Sequence, residues 1–361
     1  MRPTWAEINL KALSQNFLRT AELVGEKVKI MAIVKADGYG HGAVRVSQTL
    51  QEQECHMFGV ATVDEGLELR NSGINTPIII LSGICSDEIE IVVKNKLIPV
   101  VFSLDLLKQL DKYGYKNNMK IKYHLKIDTG MNRLGLQSEK LNEYLSDLLS
   151  LNNVIMEGVF THLSSADCDE AYTSNQILIF KQICDEFNKK GIKPIYYHSA
   201  NSAALQRFKD SHFNLVRPGI MIYGASAADD IYLHPVMKLK SKIIQIKELP
   251  KGARVSYGGT FITERVTKIA VLPIGYADGY SRHLSNKGVV SVNGFTAPVI
   301  GRVCMDLTII DITNLKDINV GDEAVLFGDE NISVDYIASL ADTISYELLS
   351  IVGKRVRRVY L

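Results

Sequence analysis

The sequence has almost no charge imbalance: 41 lysines and arginines stand against 40 aspartates and glutamates, a formal net charge of +1. No global field favours nucleic acid or an anionic membrane surface, so neither is an expected partner and small molecules are. Long apolar runs are missing too. Nothing approaches the ~20 residues that a membrane-spanning helix needs, and the opening MRPTWAEINLKALSQN has neither the basic nor the apolar region of a secretory signal. The five cysteines, Cys55, Cys85, Cys168, Cys184 and Cys304, are odd in number and scattered, without a C-x-x-C spacing for zinc or redox work. A reducing, cytoplasmic setting is expected. H-E-x-x-H and similar ligand spacings are also absent, so no metal requirement is expected.

What is present is enough apolar material for more than one core: 46% hydrophobic and 22% charged residues in 361. Between about residues 10 and 230, helical periodicity alternates with short apolar runs; Leu13, Phe17, Ala21 and Val24 share one helical face. Eight runs read as strands: VKIMAIVK, MFGVA, PIIIL, LIPVVF, MKIKYHLKID, VIMEGVFTH, IKPIYYHS and FNLVRPG. Eight apolar strands with helix-sized connections predict a closed parallel (β/α)8 barrel of the TIM type, covered outside by helices such as SEKLNEYLSDLL and NQILIFKQICDEF. From about Pro235 the texture turns β-rich, with turn residues dividing KSKIIQIKELPKGARVSYG, TKIAVLPIGYADG, GVVSVNGFTAPVIGRVCMD, LTIIDIT and GDEAVLFGD. Two helices, SVDYIASLADTI with Ser333 as N-cap and SYELLSIVG, precede a closing strand KRVRRVYL. The expected division is a barrel domain at 1–234 and a mainly β domain at 235–361.

Within IMAIVKADGYGHGA, Lys35 ends the first barrel strand, where parallel barrels do their chemistry. A half-buried lysine there has its pKa lowered and can act as a base or form a Schiff base; a lysine that merely snorkels out of the barrel mouth is about as good a reading of this stretch alone. The order of residues excludes a phosphate loop, in which the lysine follows the glycines. NLVRPGIMIYG closes the eighth strand with Arg217 and offers the backbone N–H groups of Gly219 and Ile220 at a short helix start, a place where barrels bind phosphate. Lysine and phosphate cradle together suggest pyridoxal phosphate, although neither element alone distinguishes it from a sugar-phosphate aldolase.

The ordered segments AIVKADGYGHG, HLKIDTGMNRLG, GVFTHLSSAD, HSANSAA, NLVRPGIMIYG, VSYGGTF, PIGYADGYSR and GRVCMD closely resemble the bacterial alanine racemases, pyridoxal-phosphate enzymes of fold type III. The likeness covers essentially the whole chain and implies that the strand near residues 3–10 joins the second domain. It implies that Lys35 carries the cofactor as a Schiff base and serves as base on one face of the substrate Cα, with Tyr257 serving the opposite face. Arg217 then faces the pyridine nitrogen, which stays unprotonated because guanidinium does not give up its proton. Tyr39, Ser202, Gly219, Ile220 and Tyr346 match the phosphate-binding set, and His162 matches a residue that hydrogen-bonds Arg217. Arg133 matches the arginine near the cofactor's phenolic oxygen and the substrate carboxylate; Lys126 matches a position carbamylated in many members. Met305 matches a residue whose backbone meets the substrate carboxylate, and Tyr276 and Arg282 match positions around the substrate access corridor. The resemblance further implies a homodimer in which Tyr257 and Met305 reach the other subunit's site, and D-alanine for peptidoglycan as the purpose.

Taken singly, many of these residues have plainer readings: a strand tyrosine for Tyr257, a helix cap for Ser202, a core histidine for His162, an acid-paired lysine for Lys126. The sequence departs from the family at Gly38, Leu307 and Arg357, where alanine, glutamine and proline are common; Gly38 is expected to loosen its turn slightly. The related serine racemase catalytic domains are an alternative, against which Tyr346 argues, since relatives that accept serine can carry asparagine there. A non-enzymatic pyridoxal-phosphate carrier lacks the second domain, and decarboxylases of this fold type have other motifs. IDTG at 127–130 looks like an aspartic-protease signature, but no second D-T-G supplies the partner carboxylate.

Overall fold

The computed structural model describes residues 2–225 and 231–361; residues 226–230, inside the span read as the end of the barrel domain, lie outside the described residues. The chain opens with β1 (Thr4–Ile8) and α1 (Leu10–Val24), then enters the alternating region: β2 (Lys29–Ile33), α2 (Lys35–Tyr39), α3 (Ala43–Glu52), β3 (Met57–Val60), α4 (Val63–Asn71), β4 (Ile78–Ile80), α5 (Ile89–Lys94), β5 (Leu97–Val101) and α6 (Leu104–Lys116). It continues through β6 (Ile121–Asp128), β7 (Leu136–Gln137), α7 (Leu141–Ser150), β8 (Val154–Phe160), α8 (Glu170–Lys189), β9 (Tyr196–His198), α9 (Ser202–Arg207) and β10 (Leu215–Val216). Eight of these strands pair in parallel in the order β10-β2-β3-β4-β5-β6-β8-β9, with β7 a short side branch on β6. The two ends meet through isolated backbone bonds, Arg217 N to Ala200 O at 3.0 Å and Asn214 N to Tyr197 O at 3.4 Å. The barrel is thus nearly closed.

The apolar runs become strands because both of their faces are covered: β3, β4 and β5 are buried at every residue. Side-chain caps set the helix starts. Thr62 and Glu65 form a capping box before α4, and Ser103, Asp169 and Asn201 cap α6, α8 and α9. The Asp169 cap starts α8 at Glu170, earlier than its apolar periodicity alone indicates.

The second domain comprises β11 (Met237–Lys242), β12 (Gln245–Leu249), β13 (Arg254–Val255), β14 (Phe261–Ile262), β15 (Thr267–Leu272), β16 (Val289–Val292), β17 (Phe295–Pro298), β18 (Thr308–Asp311) and β19 (Glu323–Phe327). The helices α10 (Val334–Leu340) and α11 (Ser345–Ser350) and the strand β20 (Arg357–Tyr360) complete it. Its main sheet runs β17-β16-β19-β11-β1-β20, so the N-terminal strand is built into it, antiparallel to β11 and parallel to β20. Ser333 caps α10, its hydroxyl accepting from Tyr336 N at 3.1 Å. The helix α11 then brings Tyr346 and Ser350 over the barrel mouth, where they line a cavity with Lys35.

Candidate active site

Strand β2 stops at Ile33, two residues short of the lysine, and Lys35 opens a turn instead of ending the strand. Ala36, Asp37, Gly38 and Tyr39 have φ of 52°, 54°, 59° and 53°, a left-handed helical turn. This conformation disfavours residues with a Cβ by about 1–2 kcal/mol each, so outside contacts must hold it. Glu65 Oε1 accepts from Ala36 N at 2.7 Å, and Asp37 Oδ1 accepts from Ala43 N at 2.8 Å. The buried His41 donates through Nδ1 to Tyr39 O and Gly38 O at 2.8 and 3.0 Å, and Arg358 Nε donates to Gly40 O at 2.9 Å. Gly38 therefore does the reverse of loosening the turn: it is the residue among the four that adopts these dihedrals without a Cβ penalty, and a Cβ there would lie 3.3 Å from Ala43 Cα.

The turn delivers Lys35 into a cavity of about 540 Å³ at the strand C-termini, within the ~300–1,000 Å³ of small-molecule sites. Ten of the residues singled out in the sequence line it: Lys35, Tyr39, Lys126, Arg133, His162, Ser202, Arg217, Gly219, Ile220 and Tyr346. Four are cationic, and no aspartate or glutamate lines this cavity among the described residues. Burial, and next the Arg133 charge, lower the Lys35 pKa, which favours its nucleophilic free amine. Lys126, 5% exposed, is brought down to about 8 by burial and then by Arg133 and Arg217. No carboxylate forms an ion pair with Lys126 among the described residues.

Across the cavity, Gly219 N donates to Ser202 Oγ at 2.9 Å, and a short 3-10 turn begins at Ile220. A Cβ on Gly219 would lie 2.6 Å from Tyr39 Oη, so glycine is what permits this close approach. The Tyr39 ring stacks on Tyr223 at 4.9 Å and lies 6.0 Å from Tyr346. Burial raises both pKa values, that of Tyr346 to about 12, which keeps the hydroxyls protonated as donors. Hydroxyls and amides converging on one corner can take a dianion.

Arg217 sits one residue past β10 and is held tightly. Its Nη2 donates to Thr161 O at 2.8 Å and Ser199 O at 3.0 Å and meets His162 Nδ1 at 3.3 Å, while Nη1 donates to His198 Nδ1 at 2.8 Å. His162 lies two residues beyond β8, and burial and then Arg217 push its pKa well down, keeping it neutral. The sequence reading missed His198, together with His124 and Glu157 behind it. Their signal was the presence of polar residues inside otherwise apolar strand runs. Asp128, of the protease-like IDTG, has a local role, its Oδ1 accepting from Gly130 N and Asn132 N and shaping the loop that carries Arg133.

Tyr257, Tyr276, Arg282 and Met305 are not brought to this cavity within one chain. Tyr257 is 70% exposed and Met305 52% exposed, both on the second domain. Ser256, just before Tyr257, holds φ of 61° and is pinned by its hydroxyl donating to Arg302 O at 2.6 Å. Backbone bonds from Tyr276 N to Cys304 O and Ala277 N to Met305 O join the loops of Tyr276 and Met305. These exposed residues lie on the second domain apart from the cavity.

A parallel barrel whose cavity at the strand ends is lined by an amine and several basic side chains has the makings of an enzyme that acts on an anionic small molecule there. Within that class the sequence is specific. Residues 8–227 match the family described as alanine racemase, N-terminal domain, and residues 236–360 match alanine racemase, C-terminal domain. The chain belongs to the alanine racemase family of amino-acid isomerases. It is 44% identical over 367 residues to the alanine racemase of Halothermothrix orenii, covering 99% of this chain and 97% of that one. Among solved structures, the alanine racemase of Clostridium difficile 630 is 38% identical, with a TM-score of 0.94 over 100% of this chain and 96% of that one. The alanine racemase from Bartonella henselae, solved with covalently bound pyridoxal phosphate, is 29% identical with a TM-score of 0.93 over 100% of both chains.

Proposed function

We propose that this protein interconverts L-alanine and D-alanine with pyridoxal 5'-phosphate, working as a cytoplasmic homodimer and supplying D-alanine for peptidoglycan. The observation that carries the reading is the cavity lining, in which Lys35 and Lys126 stand with Arg133 and Arg217 and no carboxylate among the described residues, suited to an anionic cofactor and a substrate carboxylate together. The residues present fit the cofactor. Lys35 would attach it, while Tyr39, Ser202, Tyr346 and the amides of Gly219 and Ile220 would hold its phosphate. Arg217, with His162 beside it, would donate to the ring nitrogen. When bound, the cofactor supplies an electron sink for the charge that develops at the substrate Cα.

Arg133 orients the substrate carboxylate, and Met305 from a second copy meets it through its backbone. Lys126 has a pKa near 8, so it retains a free-amine fraction at neutral pH that can take up carbon dioxide; the resulting carbamate anion would orient Arg133. For L-alanine, Tyr257 of a second copy removes the α-proton and the Lys35 ammonium returns one to the opposite face; for D-alanine the Lys35 amine removes the proton and the Tyr257 hydroxyl returns one. Tyr276 and Arg282 border the access corridor. Because enantiomers are equal in free energy, the protein lowers a barrier and no energy source is coupled to the reaction.

The test is proton NMR in deuterated buffer with the cofactor and L-alanine or L-serine, read with chiral analysis of the product. Exchange of the α-proton with D-alanine as the preferred product is expected. A preference for serine would move the protein to the serine branch of the family, and no exchange would leave a carrier.

A further inference from the structure

Behind the cavity the barrel interior carries a row of polar side chains to which the racemase reading gives no role. Arg217 is 4% exposed, and no carboxylate lies within ion-pair distance of it among the described residues. A guanidinium cannot accept a hydrogen bond, so its contact with His198 makes Nδ1 of that ring the acceptor. A neutral His198 then carries its proton on Nε2, which faces His124 Nδ1 at 2.9 Å. The same logic places the His124 proton on Nε2. That nitrogen lies 3.7 Å from Glu157 Oε2, within ion-pair but not hydrogen-bond distance; both atoms are buried, and neither has a hydrogen-bond partner among the described residues. Glu157 Oε1 accepts from Lys122 Nζ at 2.6 Å, toward the end of the barrel opposite the cavity.

The ring planes are held as well. Phe160 stacks on His198 at 4.6 Å and 5°, and Tyr196 lies parallel to His124 at 6.0 Å and 20°. Burial lowers the pKa of both imidazoles; the Arg217 charge adds to this at His198, while at His124 Glu157 opposes it without overcoming it. The row therefore runs one way, from a cation at the cavity through two neutral, identically oriented imidazoles to an anion.

We propose that Glu157 is the remote counter-ion of Arg217: a positioning residue that acts through His124 and His198 to draw the guanidinium's charge inward and weaken its donation to a ligand in the cavity. Each N–H facing the next Nδ1 makes the preceding ring a better acceptor, and such chains strengthen by about 10–30% per bond. If the ligand is the proposed cofactor, on which this part of the inference rests, its ring nitrogen meets a moderated donor and stays a bare acceptor.

The first experiment needs no cofactor: nitrogen-15 NMR of the histidine-labelled protein at pH 7. Both His198 and His124 are expected with Nε2 protonated and Nδ1 bare; an Nδ1–H form or a doubly protonated ring at either position overturns the relay. The second uses protein loaded with ring-labelled pyridoxal phosphate, comparing Glu157→Gln with Ile121→Val, a buried change on the same strand as His124 that alters no charge. Glu157→Gln is expected to shift the ring-nitrogen resonance upfield, toward a stronger hydrogen bond, and Ile121→Val to leave it in place. An unmoved resonance in folded Glu157→Gln, or an equal shift in both variants, overturns the proposal. Failure of the cofactor to bind the unsubstituted protein would sink the racemase reading, and the tautomers would still decide the relay.

Discussion

After Lys35, three side chains with a Cβ and one glycine share left-handed dihedrals, so this short turn concentrates strain that Gly38 relieves at its centre. Gly38→Ala is expected to destabilise the protein by about 1 kcal/mol, read as a lower urea midpoint at an unchanged denaturant slope. Lys126 gives a pH signature. Its folded pKa, about 8, lies below the ordinary 10.5, so between those values the unfolded chain binds more protons and this residue adds stability as pH rises. Lys126→Met should lose that slope, checked by urea unfolding across the window in cofactor-free protein and buffer free of carbon dioxide. At Tyr257 the expected effect is directional: Tyr257→Phe slows α-proton loss from L-alanine more than from D-alanine, and equal slowing would overturn the two-base assignment.

Among the elements, those with local signals were legible. Ser333 caps α10 as expected, the cap read at Ser202 falls one residue earlier on Asn201, and the all-buried strands read as continuous apolar runs. The left-handed turn was not legible, because its support comes from Glu65, 29 positions on from Ala36, and from Arg358, 318 on from Gly40. Arg358, on β20, also donates to Gly353 O, Val356 O and Val352 O at 2.7, 2.7 and 2.6 Å. One side chain thus ties the C-terminal strand to the loop beyond Lys35. Arg358→Met should cost about 3 kcal/mol, since several carbonyls lose a charged donor together. It should also weaken pyridoxal phosphate binding, measured by titration of the bound cofactor's absorbance.

For the whole molecule, the separation of Lys35 from Tyr257 is the central fact. One lines the cavity; the other stands 70% exposed on the second domain, outside it. A two-fold assembly would let each copy complete the other's site. Lys35→Ala and Tyr257→Phe, each weak or inactive alone, should restore activity when co-expressed, to about a quarter of the unsubstituted level for statistical pairing, because each mixed dimer keeps one intact site. Chiral assay of the purified mixture decides it. No recovery above the sum of the two separate variants would argue that each site is built within one chain.

The sequence by itself determined the barrel, the β-rich second domain and the residues around Lys35, since apolar periodicity, capping side chains and ordered motifs are local properties of the chain. The tertiary structure alone decided the hand of the turn after Lys35 and the row from Arg217 to Glu157. Both depend on groups far apart in sequence: a left-handed turn persists only where distant acceptors and donors hold it, and a histidine's tautomer is set by whichever groups packing brings to its two nitrogens.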